Sequence, residues 1–181
     1  RERQAAQAAV QFVVFSQDPK GGGWRYQPKQ PGDTSVTGWQ VAAIDAAKRA
    51  GISIPRNSLA GATAFLDSVS KDGGSRFGYS SPGGGPTTTA IGLYSRMMLG
   101  SRPTVPGIEK GIEFLLSQGP HPTNMYHNYH ASVTMRQAGG DAFNEWSQKL
   151  KMTILALQSQ DGSWPPPGTS HNDEKLGRMG I

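Results

Sequence analysis

The chain predicts an all-α fold made of repeated helix pairs, and three observations carry that reading. Seven segments space their apolar residues at intervals of three and four, as a helix with one buried face requires. Most of these segments stop at Gly or at Asp-Pro. After every second segment, most often with a Gln at its end, an aromatic residue follows, so that units recur every ~40–50 residues, the range of two-helix repeats. At 181 residues the chain is one domain's worth, and residues 1–181 read as a single α/α-repeat domain. It opens at Arg1 rather than Met, so further chain is expected upstream.

The first helix is expected over residues 4–17. Val10, Val13, Val14 and Gln17 share a face, and Phe12 and Phe15 widen it. Asp18-Pro19 ends it, and Gly21-Gly22-Gly23-Trp24 makes a turn carrying an aromatic. The second helix is capped by Asp33 or Thr34 and runs through Trp39, Val41 and Ile44 to Gly51. It is Ala-rich and almost uncharged, the composition of a helix buried over much of its surface. The third, residues 58–70, presents Leu59, Ala62, Phe65, Leu66 and Val69 on one face before Asp72-Gly73-Gly74.

The fourth helix, residues 87–99, is again apolar and includes Tyr94. The Gly-rich loop ahead of it lacks the Lys of a phosphate-binding loop and carries no dinucleotide fingerprint. Pro106 opens the fifth helix, which reaches Gln118-Gly119. The sixth, residues 124–138, starts with Tyr126, His127, Tyr129 and His130 and ends at Gly139-Gly140. Asp141 is the expected cap of the seventh, which runs to Gln158 and is followed by Gly162 and Trp164. Beyond the three prolines at 165–167, residues 171–181 read as the approach to an eighth helix.

The odd helices are amphipathic and the even ones small-residue-rich. The economical packing places even helices inside, odd helices outside, and the aromatic turns along one rim. At each turn the Gln amide can bond exposed backbone at the helix end while the aromatic ring covers it. The pairs Gln17/Trp24, Gln118/Tyr126 and Gln158/Trp164 are therefore read as structural fasteners, with Phe77 and Tyr79 filling the corresponding place after the third helix.

Gln158, Gly162 and Trp164 match the Gln-x3-Gly-x-Trp repeat of the squalene–hopene and oxidosqualene cyclases, and Lys110-Gly111, Phe114-Leu115 and Gln118 match its leading half. The wider pattern resembles the prenyltransferase and squalene-oxidase repeat superfamily. In particular it looks like an uncharacterised bacterial branch with the segments found here at 22–26, 33–40 and 124–129. The resemblance spans nearly the whole chain. It implies an (α/α) toroid, here a partial or open ring of about seven to eight helices whose free ends could self-associate.

The chemistries of that superfamily are not supported by the residues present. There is no Asp-x-Asp-Asp acid segment; the nearest acids are Asp33 and Asn172-Asp173-Glu174. With no Cys in the chain, a Cys-containing zinc site and a thioester are excluded. Candidate catalytic residues are Asp33, as the one acid at an inner-helix entry, and His127 and His130, three apart on one helix. The two His could also ligate a metal, but no metal site and no cofactor are expected. Trp39, Tyr94, Tyr126 and Tyr129 are the candidate ligand contacts, suited to an apolar or cationic group. The leading expectation is a non-catalytic module, terpene-cyclase-like in architecture, that binds a protein or an apolar small molecule. The alternative is a terpenoid cyclase-like isomerase or lyase with a diverged or missing acid motif. The net charge of +5 is spread without a basic run, so no nucleic-acid partner is expected. No apolar stretch reaches the ~20 residues of a membrane span. The compartment is left open.

Overall fold

The computed structural model describes residues 1–164. The expected eighth-helix approach and the Asn172-Asp173-Glu174 segment lie outside the described residues. Over the described residues the fold is all-α. Its helices are α1 (Glu2–Ser16), α2 (Thr34–Arg49), α3 (Arg56–Val69), α4 (Pro86–Met98), α5 (Pro106–Gln118), α6 (Met125–Ala138) and α7 (Gly140–Leu157). A two-residue antiparallel pair, β1 (Ser70–Lys71) and β2 (Arg76–Phe77), encloses a single 3-10 turn.

The helices form two layers. α2, α4 and α6 lie side by side with α4 in the middle, while α3 and α5 pack on α4, α1 and α3 on α2, and α7 on α6. Between the layers lies the main core, with Phe65 and Leu66 of α3, Leu93 of α4, Ile108 and Leu115 of α5, Met135 of α6 and Trp146 of α7. A second cluster joins Trp24 to Val41, Ile44 and Ala62. The nearly uncharged composition of α4 follows from its central place. Its buried residues include Ala90, Ile91, Gly92 and Leu93 in succession, and its one charge, Arg96 in the last turn, pairs with Asp67 of α3. Gly92 is required there because a Cβ would run into the Phe77 ring.

One feature repeats at the entry of all three even helices. The residue four past each N-cap bonds the backbone of the preceding loop. Thr37 Oγ1 accepts from Trp24 N at 2.9 Å, and Thr89 Oγ1 accepts from Phe77 N at 3.2 Å. Asn128 takes both roles, accepting from His121 N at 2.8 Å and donating to His121 O at 2.7 Å. Each buried loop group thereby finds a partner on the next even helix. Replacing Thr37 with Val should leave the buried Trp24 N–H unpaired and cost about 2 kcal/mol, whereas Thr37→Ser should keep most of that. Urea unfolding of the two variants checks this; equal losses would mean the hydroxyl is not what matters.

The Gln–Trp pairing forms at two of the three expected places. Gln17 Nε2 donates to Gly22 O at 2.7 Å and to Ser58 O at 2.9 Å, and Trp24 Nε1 donates to Val13 O at 2.8 Å. At the far end Gln158 Nε2 donates to Gly162 O at 2.8 Å and Trp164 Nε1 to Ile154 O at 2.8 Å. Gln118 and Tyr126 do not pair in this way: both are exposed, and Asn128 closes that loop instead.

Three further expectations are corrected. Phe12 and Phe15 are 61 % and 60 % exposed rather than part of the buried face, because α1 is covered only along the side holding Val13 and Gln17. Asp141 is not the cap of α7. Gly139 and Gly140, at φ 72° and 58°, turn the chain directly from α6 into α7, and Asp141 falls within the first turn, where its charge still favours the helix dipole. On α7 the expected apolar face is buried only at Trp146.

Candidate functional site

The even helices are parallel. Trp39 near the start of α2 meets Tyr129 and His130 near the start of α6, and residues near the C-terminal ends of α2, α4 and α6 line one cavity. That cavity, about 510 Å3, takes its walls, among the described residues, from these three helices, including Asp45, Arg49, Tyr94, Met98, Val133 and Arg136. It therefore opens on the face of the even layer that no odd helix covers.

At the opposite end of the same face is an aromatic group. Trp39 stacks on Tyr129 with ring centroids 5.6 Å apart. The His130 ring is edge-on to Trp39 at 5.3 Å, to Tyr126 at 4.4 Å and to Tyr129 at 5.1 Å. Trp39, Tyr126 and Tyr129 remain about half exposed, at 47 %, 43 % and 50 %, while His130 beneath them is buried. Tyr94 joins the two ends. It lines the cavity, and its phenol is pushed up first by burial, then by Tyr129 and Asp45. All four residues read as ligand contacts thus fall on one surface.

The three residues read as catalytic candidates do not meet. Asp33 is fully buried at the loop side of α2. Its Oδ1 accepts from Val36 N at 2.8 Å and its own N–H donates to Trp24 O at 3.0 Å. The next residue, Thr34, bonds the carbonyls of Gly78 and Tyr79. Asp33 Oδ2 lies beside the Tyr79 phenol without a well-formed hydrogen bond to it, and that phenol is raised by burial and then by the carboxylate. Asp33 is thus a helix cap and a stitch between two aromatic turns, and it is not among the cavity's lining residues.

His127 turns the other way from His130, edge-on to Trp146 at 6.0 Å, with Nε2 3.3 Å from Gly119 O. Burial lowers its pKa, partly offset by that carbonyl. Among the described residues no group of three His, Asp or Glu is placed to hold a metal ion. His130 is held down to about 4, by burial first and by His127 second, so at neutral pH it is an uncharged ring packed among rings.

This gives a signed prediction. Between pH 6.5 and about 4 the unfolded chain binds a proton at residue 130 that the folded chain refuses, so stability falls as pH drops through that window. From pH 7.5 to pH 5 the loss from this one group should be about 2 kcal/mol. Urea titrations of the native chain and of His130→Gln at both pH values isolate it. The native chain should lose about 2 kcal/mol more than the variant, and parallel losses would refute the assignment.

The sequence pattern pointed to the aromatic end, because Tyr126, His127, Tyr129 and His130 are contiguous. It gave no sign of the basic end. Arg49 and Arg136 are ordinary last-turn cations in sequence, and only the parallel packing of α2 and α6 brings them to one cavity. Arg49 is tied to Asp45 at 2.9 Å, whereas Arg136 forms no ion pair among the described residues. No helix among the described residues is long and apolar enough to cross a membrane. Searches with this chain found no matching family model, no matching curated protein and no matching solved structure.

Proposed function

We propose that this chain is a non-catalytic α/α-repeat module of the toroid type, similar in plan to the squalene cyclase-like repeat proteins, that binds a ligand or a protein segment on the open face of α2, α4 and α6. One observation carries this reading: Trp39, Tyr126 and Tyr129 stand half exposed around a buried ring on the same face as a cavity of about 510 Å3. Large half-exposed aromatics gathered at a concavity are the usual make-up of a binding surface. The acid that faces the cavity, Asp45, is neutralised by Arg49. A cyclase-like enzyme would need an unpaired acid there, and Asp33 is used as a cap elsewhere.

The test uses the chain labelled with 5-fluorotryptophan. Of the four Trp residues, Trp24 and Trp146 are buried, Trp39 is exposed and Trp164 is intermediate. A library of small aromatic and aliphatic fragments, followed by 19F NMR, should move the Trp39 signal selectively. Fragments that shift all signals alike, or none, would refute the site. Incubation with squalene should return it unchanged; a cyclised product would overturn the non-catalytic reading.

A further inference from the structure

The open face has two chemically different ends, and their separation is fixed by helix geometry. Trp39 and Arg49 are ten residues apart on α2, and Tyr126 and Arg136 ten apart on α6. At about 1.5 Å per residue both pairs span about 15 Å. An extended chain covers that distance in four or five residues at about 3.3 Å each.

The basic end carries surplus positive charge. Arg49 and Arg136 line the cavity, and among the described residues Asp45 offsets only one of them. The Arg49 side chain is 73 % exposed even while paired, so it can meet an incoming acceptor without being unburied. Arg136 faces Tyr94, whose phenol its charge pulls down against the stronger effect of burial, and Gln137 and Tyr94 add neutral hydrogen-bonding groups beside it. A guanidinium free to take a carboxylate in a two-point contact is the strong form of such an interaction. At the aromatic end no acid or cation among the described residues contacts the rings; the surface is the Trp39–Tyr129 stack with Tyr126 beside it.

Resting on the binding reading above, we propose that the groove takes an extended acidic peptide of a protein partner, with an apolar or aromatic side chain on Trp39 and Tyr129 and a carboxylate four or five residues away on Arg136. Charge complementarity selects the partner at one end, and ring burial anchors it at the other.

The probes are a C-terminally amidated pentapeptide of one phenylalanine followed by four glutamates, its glutamine and lysine counterparts, also amidated, and free glutamate. Binding is followed by isothermal titration calorimetry, and by the 19F signal of Trp39 in the chains that keep it, with thermal melting of each variant as a folding control. The glutamate peptide should bind at least about tenfold more tightly than the glutamine peptide and weaken with salt. Arg136→Gln should remove about tenfold of that affinity, leave the glutamine peptide unchanged and leave the melting temperature unchanged. Trp39→Leu should weaken all the peptides.

Equal binding of the glutamate and glutamine peptides, with both lost in Trp39→Leu, would overturn the acidic inference while leaving the groove as a binding site. Free glutamate binding as tightly as the peptide would overturn the peptide in favour of a small anion. No movement of the Trp39 signal with any peptide, in a chain that also answers no fragment, would sink both.

Discussion

Replacing Trp24 with alanine should cost on the order of 4 kcal/mol, the range for deleting a large aromatic from a close-packed site. Trp24 is 1 % exposed and packs with Val41, Ile44 and Ala62. Its indole N–H caps the Val13 carbonyl at 2.8 Å, its backbone N–H goes to Thr37, and its carbonyl accepts from Asp33 N. One residue thus ties the end of α1 to the start of α2. Trp164 makes the same kind of indole bond, to Ile154 O at 2.8 Å, but is only half-buried and has no following helix among the described residues closing over it. Trp164→Ala should therefore cost no more than about 1–2 kcal/mol, most of it the lost bond and partial burial. Trp24→Phe should fall between, keeping most of the burial and losing the N–H. Chemical denaturation of the three variants ranks them. Equal losses for Trp24→Ala and Trp164→Ala would mean that the indole bond, rather than enclosure in the core, carries the effect.

That contrast also marks how much could be read from the residues. Helix positions were legible because apolar spacing and Gly or Pro punctuation are local signals, and the observed bounds fall within a few residues of the expected ones. The fasteners at Gln17/Trp24 and Gln158/Trp164 were legible because donor, turn Gly and ring follow one another within a single short turn. The third place failed for a physical reason. Gln17 and Gln158 are the C-cap residues of α1 and α7, whereas the C-cap of α5 is Gly119 and Gln118 is still helical and exposed, so its amide does not fold over the following turn. The exposure of Phe12 and Phe15 was not legible, because spacing shows that residues share a face and not whether a neighbour covers it. The basic end of the groove was hidden for a similar reason. Arg49 and Arg136 are 87 residues apart in sequence, and their meeting depends on α2 and α6 flanking α4 with the same polarity.

Gly22→Ala should be among the most damaging small substitutions in the chain, at about 2–5 kcal/mol. Two costs add. Gly22 has φ 75°, where an alanine pays about 1–2 kcal/mol for the left-handed backbone. A Cβ there would also press well inside van der Waals contact of the Gly61 backbone, and a backbone atom in a packed helix cannot swing aside, which adds about 1–3 kcal/mol. The contact is central to the first unit. Gln17 Nε2 reaches Gly22 O and Ser58 O together, so the turn, α1 and α3 share one hydrogen-bonded joint. A Cβ on Gly61 would meet the Gln17 amide at 2.8 Å from the other side, and both positions therefore stay free of side chains. Gly162 supplies the control. Its φ is 82°, its carbonyl accepts from Gln158 in the same way, and the nearest atom to a built Cβ is 3.9 Å away. Gly162→Ala should then show the backbone cost alone, about 1 kcal/mol. The difference between the two variants in urea unfolding measures the close approach of the turn to α3. Were that difference near zero, the joint between α1 and α3 would have to be looser than the bonded geometry implies, and the packing of the first helix pair would rest on the Trp24 core alone.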